Sequence, residues 1–111
     1  MNLKEQIEFS KKALAQRLAI EPESITLSEA HEVTWRSGAL GCPEPGMNYT
    51  QALVPGALIF LRAGNEVHGY HAKIGGKPFY CPRQRAEQPV SGQGADMTWT
   101  IASISPDQAD D

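Results

Sequence analysis

The chain has 111 residues, of which 41% are hydrophobic and 21% are charged, and its formal net charge is −3. This length supports one domain with one core, and this composition excludes a wholly disordered chain. The net negative charge argues against a general nucleic-acid binder, and the longest apolar stretch, residues 52–61, is too short to span a bilayer. We therefore expect no nucleic-acid partner and no membrane partner.

The first predicted element is a helix over residues 3–20. Apolar residues recur there at helical spacing and form one stripe, namely Leu3, Ile7, Leu14 and Leu18. Asn2 is a favourable N-cap, and Glu5 completes a capping-box pair with it. Pro22 disfavours the helical conformation of the residue before it, so the helix is expected to end there.

The second predicted element is a strand over residues 25–35, in which apolar and polar residues alternate. His31 is in phase with the apolar residues, and a bulge would instead turn Ala30 inward. The next strand-like run, residues 52–62, is interrupted by Pro55-Gly56, and because Pro55 cannot donate a ladder hydrogen bond we expect a bulge or an edge position there. Trp35 and one face of the run 58–61 are expected to anchor the core.

Two turn dipeptides then predict a series of antiparallel strands. Gly64-Asn65 joins residues 57–62 to residues 66–74 as a hairpin. Gly75-Gly76, a pair suited to a type I′ turn, leads into a short strand around Phe79 and Tyr80. The predicted fold class is α+β, with the N-terminal helix packed on a four- to five-stranded antiparallel sheet, a meander.

The domain is expected to span residues 1–81. Residues 82–96 are polar and are predicted to form a mobile linker. Residues 97–104 regain strand character through Trp99 and Ile101, and residues 105–111 form an acidic tail. The 97–104 strand could pair with the sheet edge of a neighbouring chain, which predicts a homodimer contact or a structural role.

The most distinctive sequence feature is the irregular segment 36–50. Two prolines and two glycines within residues 41–46 restrict its conformations, and a loop that is rigid before binding avoids an ordering cost. One interpretation is a surface that binds another protein through four side chains of residues 41–51: Glu44, Met47, Tyr49 and Gln51. The other interpretation is a structural crossover in which Cys42 is buried or paired.

Chemistry at Cys42 is the alternative function. A nucleophilic or redox-active Cys42 would use His68 or His71, but no orienting Asn or Asp is identifiable in the sequence. His68 and His71 lie three apart on a predicted strand and should face opposite sides, so we expect no metal site. We also expect no cofactor, and the whole pattern favours a binding module over an enzyme. A polar N-terminus predicts a cytoplasmic location, or a periplasmic or exported one if a leader has been removed.

The sequence resembles a group of small uncharacterised bacterial proteins. The resemblance covers roughly residues 14–81 and rests on Trp35, the run Leu40-Gly41-Cys42-Pro43-Glu44-Pro45-Gly46-Met47, Tyr70-His71-Ala72 and Phe79-Tyr80-Cys81. It implies that Cys42 and Cys81 act together, most simply as a disulfide in exported members. A weaker similarity is to cystatin-type inhibitors, in which one helix packs on an antiparallel meander; the segment 51–56 is one residue longer than their Gln-x-Val-x-Gly motif.

Overall fold

The computed structural model describes residues 1–92. Within this range a single helix, α1 (Leu3–Leu18), lies against an antiparallel sheet. The strands are β1 (Ile25–Trp35), β2 (Val54–Ala63), β3 (Glu66–Lys73), β4 (Phe79–Cys81) and β5 (Ser91–Gly92), in the spatial order β4-β3-β2-β1-β5. The predicted α+β fold, one N-terminal helix on an antiparallel sheet, is confirmed.

Helix α1 begins and ends at identifiable caps. The Asn2 side chain accepts from the Glu5 amide, and the Glu5 side chain accepts from the Asn2 amide, so the predicted capping box is present. The helix ends at Leu18, two residues before the predicted end, because Ala19 takes a left-handed conformation with φ 57°. At the other end, Gln6 Nε2 donates to Lys73 O and Gly76 O and attaches the helix to the β3–β4 turn.

The three central strands form a continuous ladder. Strand β2 pairs with β1 from Val54 opposite Trp35 to Ala63 opposite Ile25, and it pairs with β3 through the predicted Gly64-Asn65 turn. Pro55 does not interrupt β2, contrary to the expected break. It lies just beyond Gly56, the last residue of β2 that pairs with β3, so the absent amide donor costs little there.

Two local predictions concern bulges and turns. The register of β1 against β2 shifts between Leu27 and Glu29, and this bulge lets Ala30 pack against the helix-side core. In the second turn the Gly76 amide donates to Lys73 O, so the central residues are Ile74 and Gly75, and of these Gly75 alone has positive φ, 72°. The turn is therefore not of the expected I′ type, which requires positive φ at both central residues.

The sheet is covered on both faces. On the face beneath α1, Leu14 packs with Ile59, Leu61 and Tyr70. On the opposite face, Trp35 packs with other buried side chains, namely Val33, Leu58 and Phe60. Every residue from 57 to 61 is buried, so both alternatives for the core face are occupied. A continuous apolar run is typical of a strand with no solvent-facing side.

Residues 83–92 belong to the segment that was predicted as a linker. They include a short 3₁₀ turn, Arg83–Arg85, and strand β5, which pairs with Val33 and Thr34 of β1. The Glu87 amide donates to Gly41 O and the Val90 amide donates to Thr34 O. The predicted strand at 97–104 and the predicted tail at 105–111 lie outside the described residues.

Candidate functional site

The candidate site is the segment between β1 and β2, residues 36–53, which we call the loop. Its base is closed by one backbone hydrogen bond, in which the Gly38 amide donates to Thr50 O at 2.8 Å. The loop crosses the sheet face opposite α1, where the Trp35 cluster lies, and Leu40 packs against that cluster. The conformation of the loop therefore depends on its packing against the Trp35 cluster beneath it.

Trp35 is the platform on which the loop rests. Its side chain is fully buried, and its Nε1 donates to Ala72 O at 2.9 Å, so the indole reaches from β1 across β2 to β3. A Cβ atom at Gly56 would collide with Trp35 Nε1, and one at Gly41 would collide with Trp35 Cζ3. The indole therefore lies between two glycines, one in the sheet and one in the loop, and both must lack a side chain.

His71 holds the loop from β3. Its ring stacks on Trp35 with centroids 4.6 Å apart, and its Nδ1 lies 2.7 Å from Leu40 O. Because a carbonyl oxygen only accepts, Nδ1 must carry the proton, which assigns the tautomer. Burial lowers the pKa of His71 to about 4, and the Leu40 hydrogen bond opposes this only partly. At neutral pH His71 is an uncharged structural donor.

A disulfide joins the loop to the edge of the sheet. Cys42 in the loop and Cys81 in β4 are bonded, with their Cα atoms 5.9 Å apart, and both side chains are buried. This is the pairing that the sequence resemblance implied. It places a covalent attachment directly before the exposed part of the loop, so the residues that follow start from a fixed point.

The exposed part of the loop is a β-turn. The Met47 amide donates to Glu44 O at 3.2 Å, with Pro45 and Gly46 at the two central positions and φ 81° at Gly46. Proline followed by a glycine of positive φ is the pattern of a type II turn. The Glu44 amide in turn donates to Tyr49 Oη at 3.1 Å. Met47 leaves this turn with 57% of its surface exposed.

The four predicted binding residues therefore divide into two pairs. Glu44 and Met47 are exposed and lie at the two ends of the turn. Tyr49 is half-buried and supports the turn through its hydroxyl, and Gln51 Nε2 donates to Tyr49 O at 3.0 Å. The structure brings all four together on one loop, with the first pair presented to solvent and the second pair bracing the backbone.

Arg85 belongs to this site and was not singled out for it from the sequence. Its Nη2 lies 3.4 Å from Cys42 Sγ and 3.8 Å from Glu44 Oε2. In the sequence Arg85 is one of several basic residues that follow or precede Phe79 and Tyr80. No local pattern could have paired it with a loop that lies about 40 residues away along the chain, since such contacts depend on the tertiary fold.

His68 lies on the other face of β3, as the strand alternation predicted. It contacts Tyr80 with ring centroids 6.0 Å apart, and its Nε2 lies 3.7 Å from Glu66 Oε1. Burial lowers the pKa of His68, although Glu66 opposes the shift. His68 and His71 are thus not brought together, and no group of three or more potential metal ligands occurs among residues 1–92.

The Cys–His alternative finds no nucleophile in this arrangement. Cys42 is bonded to Cys81 and therefore has no thiolate, and His71 Nδ1 is hydrogen-bonded to Leu40 O.

The described part of the chain contains no helix that is long and apolar enough to cross a membrane. What the loop offers is a shaped, anchored surface with one acidic side chain and one exposed thioether.

Comparison with known proteins gives a family but no activity. No curated protein and no solved structure matches the chain. One family model matches, and the match covers residues 7–81, which begins in α1 and ends at the second cysteine of the disulfide. These residues include the Trp35 platform, His71 and the whole loop. The chain belongs to this family, which is described as the domain of unknown function DUF8738.

Proposed function

We propose that the protein is a non-enzymatic binding module that presents residues 41–51 to another protein. Glu44 and Met47 make the contacts, while Tyr49 and Gln51 keep the loop in its binding shape. The observation that carries this proposal is that an exposed type II turn follows a loop segment held by two buried features. These are the Cys42–Cys81 disulfide and the Trp35 platform. A surface fixed in advance loses little conformational entropy on binding.

The charge pattern of the loop supports a protein partner with an apolar contact surface. Between Arg36 and Arg62, Glu44 is the one charged residue in the sequence. Met47 and Leu53 are both more than half exposed in this stretch. A patch depleted in charge with an exposed Met matches the composition of the core of a protein–protein interface.

An inhibitor is one form that such a module takes. A rigid loop held by a disulfide and containing two X-Pro bonds would present its side chains to an enzyme cleft with little freedom to rearrange. The one-helix, antiparallel-sheet arrangement is also that of cystatin-type inhibitors, which is an analogy of fold and not of site. Under this form of the proposal, Met47 occupies an apolar pocket of the target.

The test is affinity capture followed by measured binding. The immobilised protein is used to isolate a partner from the source cells, and the purified partner is then titrated against variants by calorimetry. We expect Met47→Ala and Glu44→Ala each to weaken binding at least tenfold, the loss typical of a contact at the centre of an interface. Unchanged affinity in both variants would overturn the proposal.

A matched control separates the loop from general surface stickiness. Ile74 is 59% exposed, similar to Met47 at 57%, but lies outside the loop in the β3–β4 turn. Ile74→Ala should leave the affinity unchanged, and all three variants should melt within a few degrees of the parent protein. Equal losses for Met47→Ala and Ile74→Ala would indicate nonspecific apolar contact and would count against the loop.

The disulfide also bears on where the module works. Disulfides persist mainly in oxidising compartments and are rare in the cytosol. Of the two locations considered from the sequence, the bond between Cys42 and Cys81 favours the periplasmic or exported one over the cytoplasmic one. Alkylation of acid-quenched, denatured cell extracts would test this part of the proposal, since protein from an oxidising compartment should be labelled only after reduction, whereas cytosolic protein should be labelled without it.

A further inference from the structure

The contact between Arg85 and the disulfide is poorly matched in the oxidised protein. Arg85 Nη2 is directed at Cys42 Sγ at 3.4 Å, and Arg85 Nε is buried without a hydrogen-bond partner among residues 1–92. A disulfide sulfur is uncharged and is only a weak acceptor, so it gives a guanidinium little in return. A buried donor without an acceptor calls for a physical explanation.

Reduction of the disulfide would turn the weak acceptor beside Arg85 Nη2 into a strong one. If the S–S bond breaks so that Cys42 leaves as a thiolate, the sulfur beside Arg85 becomes an anion. A charge-assisted hydrogen bond from the guanidinium then replaces a weak neutral contact. Arg85 therefore stabilises the reduced state more than the oxidised state, and a nearby cation also makes Cys42 the better leaving sulfur.

We propose that Cys42–Cys81 is a redox-active disulfide that accepts two electrons from a dithiol, with Cys42 as the leaving thiolate held by Arg85. In the first step a thiolate of the dithiol attacks Cys81 Sγ, a mixed disulfide forms at Cys81, and the electron pair of the S–S bond leaves on Cys42. In the second step the other sulfur of the dithiol gives up its proton, attacks its own partner sulfur and releases Cys81, which takes up that proton. The dithiol ends as a disulfide, and the protein ends as a Cys42 thiolate and a Cys81 thiol.

Glu44 should oppose the effect of Arg85 on the Cys42 thiolate. Glu44 lies two residues after Cys42, and its carboxylate is 3.8 Å from the same Arg85 nitrogen, Nη2. A negative carboxylate competes with a Cys42 thiolate for the guanidinium and repels it. Removal of the Arg85 charge and removal of the Glu44 charge should therefore shift the redox equilibrium in opposite directions.

Burial determines which quantity to measure. Cys42 is 4% exposed and Cys81 is 2% exposed, so attack requires the loop to open, and exchange is expected to be slow. The equilibrium constant for reduction does not depend on that opening. It can be measured by equilibrating the protein with mixtures of reduced and oxidised dithiothreitol, quenching with acid, and counting alkylated cysteines by mass spectrometry.

We expect Arg85→Gln to lower the equilibrium constant for reduction about tenfold, equivalent to about 30 mV. Arg85→Lys keeps the charge and should recover part of that loss. Arg83 lies in the same 3₁₀ turn with an exposed side chain, so Arg83→Gln is the matched control and should leave the constant unchanged. Glu44→Gln should raise the constant severalfold.

Two results would overturn the proposal: an Arg85→Gln constant equal to that of the parent protein, or an equal shift in the Arg83→Gln control. If Arg85→Gln does not fold, the parent protein still gives a decisive result. Acid trapping of the intermediate with glutathione should place the mixed disulfide on Cys81 and leave Cys42 free for alkylation. A mixed disulfide found on Cys42 would contradict the proposed leaving group.

Discussion

Trp35 and His71 stack across three strands, with ring centroids 4.6 Å apart and planes inclined by 14°. Each ring donates a hydrogen bond to a different carbonyl oxygen. Trp35 Nε1 donates to Ala72 O, on the residue after His71 in β3, and His71 Nδ1 donates to Leu40 O in the loop. The pair of buried rings therefore connects the sheet to the loop through directional hydrogen bonds. Stability and loop geometry should depend on the same two side chains.

His71 should make stability depend on pH. Its folded-state pKa is lowered to about 4 by burial, whereas an unfolded histidine titrates near 6.5. Between these values the unfolded chain binds a proton that the folded chain does not. The contribution is therefore complete above about pH 6.5 and is lost as the pH falls toward about 4. A shift of this size corresponds to about 3 kcal/mol.

Urea unfolding at several pH values checks this, with His71→Gln as the reference. Glutamine is also able to donate to Leu40 O but does not titrate, so the other ionisable groups cancel in the difference between the two proteins. From about pH 7 to pH 4.5 the parent protein should lose roughly 2 kcal/mol more than the variant. Parallel pH profiles would contradict the assignment.

Gly41 and Gly46 offer a matched pair of substitutions in the loop. Both have positive φ, 74° and 81°, so an alanine at either position carries the same left-handed strain of about 1 kcal/mol. A Cβ at Gly46 meets nothing within 4 Å, whereas a Cβ at Gly41 collides with Trp35. We expect Gly41→Ala to cost about 2 kcal/mol more than Gly46→Ala in urea unfolding. Equal costs would show that the indole does not confine the loop.

Much of the fold could be predicted because its signals are local. The capping box at Asn2 and Glu5, the strand over residues 25–35 and the Gly64-Asn65 turn each depend on signals within a few residues, and each is present. Boundaries were less accurate. The helix was predicted to extend to residue 20 but ends at Leu18, since the left-handed turn at Ala19 has no strong marker such as glycine.

The site was harder to predict because its contacts are long-range. The loop residues could be named from the prolines and glycines, and the cysteine pairing came from a resemblance. The role of His71 depends on Trp35 reaching over Gly56, and the role of Arg85 depends on the chain returning after β4. Both roles arise from the pairing of segments that are far apart in the sequence, and residue spacing alone does not predict such pairing.

The disulfide should contribute strongly to stability. Cys42 and Cys81 are separated by 39 residues, and closing a loop of that length restricts the unfolded chain by about 4 kcal/mol on the chain-entropy model. Urea unfolding of the oxidised protein, the reduced protein and the Cys42→Ala/Cys81→Ala variant should place the last two well below the first. Equal stability of the oxidised and reduced proteins would contradict this expectation.

Tyr49 should control the order of the turn more than the stability of the fold. Its hydroxyl accepts from the Glu44 amide at 3.1 Å, and Tyr49→Phe removes that acceptor with almost no change in shape. Because the bond is exposed, the free energy of unfolding should fall by only about 0.5–1 kcal/mol. Amide hydrogen exchange at Glu44 should nevertheless become several times faster, since local opening then exposes the donor directly.

Gly38 is the internal reference for that measurement. Its amide donates to Thr50 O at the base of the same loop and makes no contact with the Tyr49 hydroxyl. In Tyr49→Phe the exchange rate at Gly38 should stay at the parent value while that at Glu44 rises. If both rates rose together, the hydroxyl would be holding the whole loop. If neither rate changed, the disulfide and the Pro45-Gly46 turn would be sufficient to fix Glu44 and Met47, and Tyr49 would not be a bracing residue.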